Sequence, residues 1–383
     1  MKLRILSFSD QGEALAKKLA GLLGGSEDRG IPAAKWTERC FGEAEALIFI
    51  GAAGIAVRSI APFLKKKDLD PAVVVLDEGG RFVIPILSGH LGGANDLARR
   101  IGELTGAIPV ITTATDLSGK FAVDEWARRQ NFALLEAERI LPVSSRILRG
   151  EEVRIISDWA IGGECPPGLR LEIPVGSPGC ALGTGHAGEA VHAADQSPGY
   201  GLKPGKPDSE YVPAAGESPG DGSVRLSLRT DTSGALHLVP RIGVLGIGCR
   251  RGVSGEVIEG VFQSFLERER FYGSCITEAA SIDRKAGEMG LLAFCRAHQW
   301  KMRTFSAGEL AALPGEFSSS AFVGKTVGVD NVCERAAVLG SGGVLIFKKF
   351  AKNGVTMALA ARPFSPDWRW RYERSESSRV PSK

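Results

Sequence analysis

The sequence predicts an α/β protein with two α/β domains, each containing a mostly parallel sheet plus a hairpin, joined by a central region. Strand and helix patterns alternate in residues 1–132 and again in residues 241–365, which is typical of sheets covered by helices. Between these stretches, residues 183–222 contain nine glycines and five prolines, a composition typical of flexible sequence. We predict domains at 1–132 and 241–365, a central region at 133–240 with a flexible insertion at 183–222, and a frayed tail at 366–383.

The predicted first domain begins with a strand and a capped helix. Ser9 and Asp10 can cap a helix whose leucines at positions 15, 19 and 22 share one face. Glu78-Gly79-Gly80 separates two apolar runs and predicts a hairpin. Strands are predicted at Leu3–Phe8, Ala46–Ile50, Val73–Leu76, Arg81–Leu87 and Ile108–Ile111. Helices are predicted after Ser9, from Ile55 towards Leu64, at Ala94–Leu104 and at Ala122–Asn131.

The periodicity weakens in the central region and returns in the second domain. We predict a central helix at Leu134–Ile140 that Pro142 ends, and a strand at Val153–Ser157. In the second domain Asn353-Gly354 predicts a type I′ hairpin turn. The predicted strands are Arg241–Gly246, Ile276–Ser281, Val344–Phe350 and Val355–Ala360. Two helices are predicted to start at Ser254 and at the Ser306 capping box. Two more are predicted at Arg284–His298 and Asn331–Leu339.

Composition restricts the function classes. The 383 residues include 47 basic and 44 acidic side chains, a net charge of +3, which predicts no strong binding to nucleic acid or to an anionic membrane. Seven scattered cysteines show no metal-ligand spacing, so we expect reduced thiols, no metal site and a cytoplasmic location. The longest uncharged apolar run, Ala46–Val57, is shorter than the about 20 residues that a membrane helix needs.

The standard hydrolase and nucleotide motifs have no support. There is no HExxH or EF-hand pattern in the chain. Gly246, Gly248 and Gly252 lie between a predicted strand and helix, but their GxGxxxG spacing departs from the dinucleotide fingerprint. This turn can be explained either by close backbone packing or by a ligand-facing loop.

A more specific candidate is the loop Ser88–Asn95, which leads from a strand into a helix. Its backbone N–H groups could face an anion at the helix N-terminus. His90 could act there as an acid or base, or it could tie down the turn. The other predicted contacts of this loop to a substrate are Ser88, Gly89, Gly92, Gly93 and Asn95.

Two more loops follow strand ends in the first domain. Hydroxyls and a carboxylate after the last strand suit the crevice where open α/β sheets bind ligands, although Thr115 or Asp116 could instead cap a helix. A third glycine turn follows the strand Ala46–Ile50 and leads to Arg58. The candidate residues of these two loops are Thr112, Thr113, Thr115, Asp116, Gly51, Gly54 and Arg58.

The candidates of the second domain lie at glycine turns and helix starts. Lys285 and Glu288 lie one turn apart after Ser281 and could equally form a surface ion pair. Cys249 follows Gly248 and could be a thiol activated by Arg250 and Arg251, or a small core residue. Cys333-Glu334 lies near the start of another predicted helix.

Taken together, these segments resemble the CbiG family of cobalamin biosynthesis, the cobalt-precorrin-5A hydrolases of the anaerobic pathway. The resemblance covers roughly 47–131 and 241–363, in the family's order. The matching stretches are GAAGIAVRSIAP (51–62), KDLDPAVVVLDEGGRFVIPILSGHLGGANDLA (67–98), TTATD (112–116), GIGCRRG (246–252), SIDRKAGEMGLL (281–292) and VGVDNVCERAA (327–337). The insertion at 183–222 has no counterpart in this resemblance.

The resemblance implies a substrate and a reaction. The substrate would be a cobalt-bearing tetrapyrrole with many carboxylates and a δ-lactone on its ring A acetate. The family opens this lactone with water and releases the two-carbon fragment at C20 as acetaldehyde. Cobalt arrives within the substrate, so the resemblance implies no protein cofactor, and neighbouring enzymes of the cobalamin pathway are the expected protein partners.

Lactone hydrolysis needs a base for water and donors for the oxyanion. We predict His90 or Glu288 as the base and Asp116 or Glu334 as the acid that protonates the macrocycle carbon. Backbone N–H groups near Gly92-Gly93 or Gly248-Cys249 are the predicted oxyanion donors, in a cleft between the two domains. The predicted cationic contacts to the substrate are Arg58, Lys285, Arg250 and Arg251.

Two other functions are compatible with the residues alone. One is an α/β enzyme that uses a nucleotide cofactor, such as a reductase or methyltransferase, which would bind that cofactor tightly. The other is a non-catalytic corrinoid-binding or carrier protein, which would bind the macrocycle and release no acetaldehyde.

Overall fold

The computed structural model is a mixed α/β structure with three mostly parallel sheets and helices. The predicted α/β class is confirmed. The structure describes residues 2–65, 69–113, 119–174, 222–231, 233–318 and 331–371. The three sheets have six, five and five strands. They follow one another along the chain, with strands drawn from 3–109, 132–240 and 243–361. The predicted insertion at 183–222 lies outside the described residues except for Gly222.

The first sheet has the order β2-β1-β3-β4-β5-β6 and is parallel except between β4 and β5. Its strands are β1 Leu3–Ser7, β2 Ser26–Arg29, β3 Ala46–Ile50, β4 Ala72–Leu76, β5 Phe82–Leu87 and β6 Ile108–Pro109. Its helices are α1 Asp10–Leu23, α2 Ala33–Cys40, α3 Ala53–Ile60 and α4 Ala94–Thr105. β3 and β4 are buried throughout because helices cover both faces of the sheet. The Ser9 hydroxyl caps α1 as predicted, accepting from the Gly12 N–H at 3.1 Å.

The second sheet is formed by the central region and has the order β7-β11-β10-β8-β9. Its strands are β7 Phe132–Leu134, β8 Val153–Ser157, β9 Leu169–Glu172, β10 Val224–Leu226 and β11 Leu236–Pro240. Its helices are α5 Val123–Arg129 and α6 Ile140–Arg149. The predicted helix at Leu134–Ile140 is wrong. Pro142 lies in the first turn of α6, where its missing N–H costs no hydrogen bond, so it does not end a helix there.

A buried histidine stabilises this second sheet. His237, on β11, is only 3% exposed. Its Nε2 lies 2.8 Å from Asp231 Oδ1 and its Nδ1 lies 3.1 Å from Glu136 Oε1. Burial alone would lower the pKa of His237, but the hydrogen bonds and charges of these two carboxylates outweigh burial and raise that pKa.

The third sheet has the order β14-β13-β12-β16-β15. Its strands are β12 Gly243–Cys249, β13 Ile276–Ile282, β14 Lys301–Phe305, β15 Val344–Lys352 and β16 Val355–Ala361. Its helices are α7 Gly255–Glu269, α8 Met289–Ala297, α9 Ala307–Ala312 and α10 Val332–Ser341. The Ser254 cap, the Ser306 capping box and the hairpin at Asn353-Gly354 are confirmed. The predicted helix Arg284–His298 is wrong in its first turn, where Asp283–Lys285 form a separate 3₁₀ turn.

The second and third sheets share one apolar core. A single cluster of buried side chains joins α5 and β8 to β12 and α7. Helix α5 falls inside the predicted first domain, yet its Val123 and Trp126 pack in this shared core rather than against the first sheet. The first sheet has its own two clusters, one on each face.

The sequence predicts a frayed tail from residue 366, but residues 366–371 are ordered and pack against helix α5. Trp368 is 5% exposed, and its ring stacks on Trp126 of α5 at a centroid distance of 5.3 Å. Trp126 Nε1 donates to the Asp367 carbonyl at 2.7 Å, and the Gln130 amide donates to the Asp367 carboxylate at 2.8 Å. Residues 372–383 lie outside the described residues. No helix within the described ranges is long and apolar enough to cross a membrane.

Candidate functional site

The loop Ser88–Asn95 joins β5 to α4 and is closed by its own hydrogen bonds. The N–H groups of Gly93, Ala94 and Asn95 donate to the carbonyls of His90, Ser88 and Gly89, respectively, at 3.0–3.1 Å. A Cβ on Gly92 would collide with Ser88, so glycine is required for this close approach. The Gly93 N–H predicted to hold an oxyanion is therefore already engaged within the loop.

His90 is held by the start of helix α5. Its Nδ1 lies 3.0 Å from Asp124 Oδ2, and its Nε2 lies 3.9 Å from Glu125 Oε1. The His90 side chain keeps 14% of its surface exposed, whereas Glu125 is only 2% exposed as a residue. The arrangement places an imidazole between two acidic side chains, with the ring still partly accessible.

Asp96, in the first turn of α4, connects the same two helices. It accepts from Arg99 at 3.0 Å and from Arg129 at 2.7 Å, and it also pairs with Arg128. The Arg129 Nε donates in turn to the Trp370 carbonyl at 2.7 Å. The helix that carries Asp124 is thereby tied both to α4 and to the C-terminal segment.

Asn95 and Thr113 are brought together beside this loop. Asn95 is 2% exposed, and its amide donates to the Thr113 hydroxyl at 3.1 Å. Thr112 is exposed. The predicted residues Thr115 and Asp116 lie outside the described residues.

A second group of predicted residues forms at the end of β12. The Gly252 N–H donates to Glu288 Oε1 at 2.6 Å, and the Lys285 ammonium donates to Glu288 Oε2 at 3.0 Å. The hydrogen bond from Gly252, together with that from Lys285, lowers the pKa of Glu288. The pair that the sequence left open as a surface contact is thus an ion pair that also fastens the glycine turn.

Cys249 and the glycines of this turn have structural surroundings. Burial is the main cause that raises the pKa of the Cys249 thiol, so the activation by Arg250 and Arg251 that the sequence suggested has no support. A Cβ on Gly246 would collide with the Cys333 carbonyl oxygen of α10. A Cβ on Gly248 would lie 2.6 Å from Thr356 Oγ1. Close backbone packing, one of the two alternatives for GxGxxxG, explains both positions.

Ser281 and Glu334 are buried and engaged within the fold. The Ser281 hydroxyl donates to the Ile247 carbonyl at 2.7 Å. Glu334 is 0% exposed and accepts from the Ser318 N–H and hydroxyl and from the Lys349 N–H, at 2.8, 2.7 and 2.6 Å. These contacts hold the start of α10 against β15 and against Ser318.

The third glycine turn follows β3 and leads to one exposed cationic side chain, Arg58. The Gly51 N–H donates to the Leu76 carbonyl at 2.8 Å. Gly54 and Arg58 are exposed on α3. In the second group, Arg250 and Arg251 are exposed as well, so all three guanidinium groups can be reached from solvent.

Asp124 and Glu125 are the site residues that sequence reasoning missed. Both lie in the first turn of α5, where acidic side chains are common because they stabilise the helix dipole. That pattern gave no sign of a contact with His90, which is 34 residues earlier in the chain. Among the described residues there is no group of three or more His, Cys, Asp or Glu side chains arranged to hold a metal ion.

Two family models match the chain on either side of Asp124. The model described as Cobalamin synthesis G N-terminal matches residues 35–116, and the model described as Cobalamin synthesis G C-terminus matches residues 243–360. A cobalt-precorrin-5A hydrolase of Salmonella typhimurium strain LT2 is 33% identical over 368 residues, which cover 91% of this chain and 94% of the relative. The chain belongs to the CbiG family.

A second relative agrees with this assignment. A cobalt-precorrin-5A hydrolase of Priestia megaterium is 30% identical over 325 residues, covering 83% of this chain and 79% of the relative. A solved cobalamin biosynthesis protein G homolog from Sulfolobus solfataricus is 21% identical and covers 94% of this chain and 97% of its own, with a TM-score of 0.37. His90 lies inside the N-terminal family match and Glu288 inside the C-terminal one.

Proposed function

We propose that this CbiG-family chain is a cobalt-precorrin-5A hydrolase. The observation that carries the proposal is the 33% identity to the Salmonella typhimurium hydrolase over more than nine-tenths of both chains. In the reaction, water opens the ring A δ-lactone and the two-carbon fragment at C20 leaves as acetaldehyde. Cobalt enters as part of the substrate, so the chain needs no resident metal or cofactor. Neighbouring enzymes of the cobalamin pathway stay predicted partners.

His90 is the base that the contacts favour over Glu288. The His90 ring is partly accessible and is oriented by Asp124. Glu288 has both carboxylate oxygens in hydrogen bonds, and a lowered pKa makes a carboxylate a weaker proton acceptor. Glu288 therefore serves to fasten the turn at Gly252.

The chemical steps balance with one base and one acid. His90 takes a proton from water, the hydroxide adds to the lactone carbonyl carbon, and the acyl C–O bond breaks to free an alkoxide. The alkoxide becomes the carbonyl of acetaldehyde as its C–C bond to the macrocycle breaks, and the macrocycle carbon receives that electron pair and a proton. Asp116 stays the candidate for this proton, since Glu334 is fully buried among Ser318 and Lys349.

The substrate carboxylates require cations that solvent can reach. Arg58, Arg250 and Arg251 meet this requirement, and an overall charge of +3 does not oppose it because the attraction is local. Lys285 is paired with Glu288 and contributes less.

The decisive test is acetaldehyde release from cobalt-precorrin-5A by the purified chain and by two variants. We expect His90→Ala to lower the rate by about 10²–10⁴-fold, the range for a lost general base. Glu288→Gln should lower it by less, because its role is structural. Binding of the macrocycle without acetaldehyde would instead identify a carrier protein, and near-wild-type rates in both variants would rule out these two residues as the base.

A further inference from the structure

We propose that the exposed side of helix α3 is the surface on which the substrate macrocycle lies, with Arg58 binding one of the carboxylates at its rim. We call this side the α3 face, and its residues are Gly54, Ile55, Val57, Arg58, Ala61 and Pro62. The inference rests on the proposed hydrolase function for the identity of the substrate. It gives a role to apolar side chains that the chemical steps themselves do not require.

The α3 face is apolar over its whole length apart from Arg58. Helix α3 ends at Ile60 and continues directly into a 3₁₀ turn, Ala61–Phe63. On the α3 face, Ile55 is 38% exposed and Val57 is 50% exposed. The residues that α3 buries on its other side are Ala56, Ser59 and Ile60. A helix that is apolar on both sides is typical of one that contacts a further partner on the side left to solvent.

The neighbouring helix α2 shows a normal exposed side on the same face of the sheet. Both helices pack into one apolar cluster, which contains Trp36 of α2 and Ala56 of α3. Helix α2 nevertheless exposes Lys35, Glu38 and Arg39, as expected for a helix that faces water. The apolar character of the α3 face is therefore specific to α3 and does not follow from the sheet that the helix covers.

The charges at the α3 face are positive. Residues 46–65 contain no acidic side chain, and their two cationic side chains are Arg58 and Lys65, both exposed. Within the described part of the chain, the Arg58 guanidinium has no hydrogen bond or ion pair. An unpaired cation in an apolar surface is complementary to a ligand that is itself apolar and carries carboxylates. A tetrapyrrole with carboxylates at its rim has both properties.

The α3 face also lies beside the edge of the first sheet where a ligand is expected. β1 and β3 are adjacent and parallel, whereas β2, which lies between them in the sequence, pairs with β1 on its other side. Such a reversal of strand order marks the crevice at the carboxyl ends of the strands where open α/β sheets bind ligands. Helix α3 begins at Ala53, just after β3 ends at Ile50, so one end of the α3 face is at this crevice.

Two other occupants fit these charges less well. In a symmetric dimer the same residues of both copies meet, so two Arg58 side chains would be brought together on an apolar surface, and the α3 face has no acidic residue to pair with either. An anionic lipid surface is recognised by clusters of cations on one segment, whereas Arg58 is the one cation of the α3 face.

The test is steady-state acetaldehyde release from cobalt-precorrin-5A by variants of the α3 face. Val57→Glu places a carboxylate on the apolar surface and should raise KM about tenfold or more. Arg58→Ala should raise KM about tenfold, and Arg58→Lys, which keeps the cation, should raise it less. In all three variants kcat should stay nearly unchanged, because the α3 face binds the substrate and the transition state alike.

The matched controls replace the same types of residue elsewhere on the surface. Leu141→Glu changes a leucine of α6 that is 68% exposed, and Arg39→Ala changes an exposed arginine of α2. Both should leave KM unchanged. An unchanged KM in Val57→Glu or in Arg58→Ala, beside an active wild type, overturns the proposal, and so does an equal rise in Leu141→Glu.

A binding measurement separates failure of this proposal from failure of the hydrolase function. Ultrafiltration of the full chain with cobalt-precorrin-5A, followed by the absorbance of the macrocycle, gives the fraction retained by the protein. A wild type that retains the macrocycle without releasing acetaldehyde overturns the hydrolase function, while weaker retention by Val57→Glu still supports the α3 face. A wild type that retains none overturns the role of the α3 face.

The other two occupants have their own outcomes in the same set of variants. Cosedimentation of the wild type with phosphatidylserine vesicles that Val57→Glu abolishes, with KM unchanged, would assign the α3 face to a lipid surface. A wild-type dimer that Val57→Glu converts to a monomer, again with KM unchanged, would assign it to a second copy of the chain. Either result overturns the proposal.

Discussion

His90 and His237 each have two acidic neighbours, but the two histidines differ in burial and in the distance to the second carboxylate. His237 has both ring nitrogens within 3.1 Å of a carboxylate oxygen and is 3% exposed. His90 has one nitrogen at 3.0 Å, the other at 3.9 Å, and a side chain that is 14% exposed. Two carboxylate oxygens at hydrogen-bond distance stabilise the His237 ring as a cation, whereas the Glu125 carboxylate near His90 lies beyond hydrogen-bond length.

The same comparison shows what acidic neighbours alone do not establish. Asp231 and Glu136 hold His237 in the sheet and raise its pKa. Burial would raise the pKa of Asp231, but its hydrogen bonds to His237 and Ser233 outweigh burial and lower that pKa. Asp124 and Glu125 come from one helical turn, and each lies near a different ring nitrogen of His90. The distance between the second ring nitrogen and its carboxylate, rather than the number of carboxylates, distinguishes the two histidines.

The largest expected effect on stability comes from replacing the structural histidine. His237→Gln leaves Asp231 and Glu136 without their shared cation and should cost about 3 kcal/mol of unfolding free energy, near the low end for broken buried pairs because both carboxylates keep about a fifth of their surface exposed. Urea unfolding measures this. His90→Gln is the matched control and should cost less, because the His90 side chain is more exposed than that of His237. Equal losses would contradict the distinction between the two histidines.

A smaller effect is expected from pH. The pKa of His237 is raised in the folded chain, so its contribution to stability is complete below its ordinary pKa and is lost as pH rises through the raised value. The wild type should lose unfolding free energy as pH rises above the ordinary histidine pKa of about 6.5, and His237→Gln should lose less over the same range. Parallel curves for the two proteins, measured by urea titration at each pH, would show that His237 is not the titrating group.

The smallest effect concerns the carboxylate at the other candidate loop. The pKa of Glu288 is lowered in the folded chain, so its contribution is present above its ordinary pKa and is lost as pH falls through the lowered value. The difference in Tm between the wild type and Glu288→Gln should shrink as pH falls below the ordinary glutamate pKa of about 4.3. The control is Glu38→Gln, which replaces an exposed side chain on α2. The difference in Tm between the wild type and this variant should stay constant over the same pH range.

Elements with strong local signals could be predicted from the sequence. The strand Ala46–Ile50 has the predicted bounds because five consecutive apolar residues are buried on both faces. The Ser254 cap and the Asn353-Gly354 turn depend on contacts within a few residues. The second sheet could not be predicted, since β10 has only three residues and pairs with β8 almost 70 residues earlier.

The candidate site divides in the same way. His90 could be proposed because its loop follows a strand and precedes a helix, both of which are local patterns. Asp124 could not, because its contact with His90 depends on how α5 packs beside α4. Gly246 and Gly248 suggested a ligand loop, but the space they leave is filled by α10 and by Thr356, which are about 90 and 108 residues away.

The packing of the segment around Asp367 and Trp368 on helix α5 has a consequence for biosynthesis. The Trp126 indole and its partner carbonyl are 241 residues apart. A ribosome that adds about 5–20 residues per second needs roughly 12–48 seconds to make that distance. During this interval the nascent chain already contains His90 and Asp124 but lacks Asp367 and Trp368, which pack on helix α5. The packing of α5, which carries Asp124, is therefore completed only late in translation.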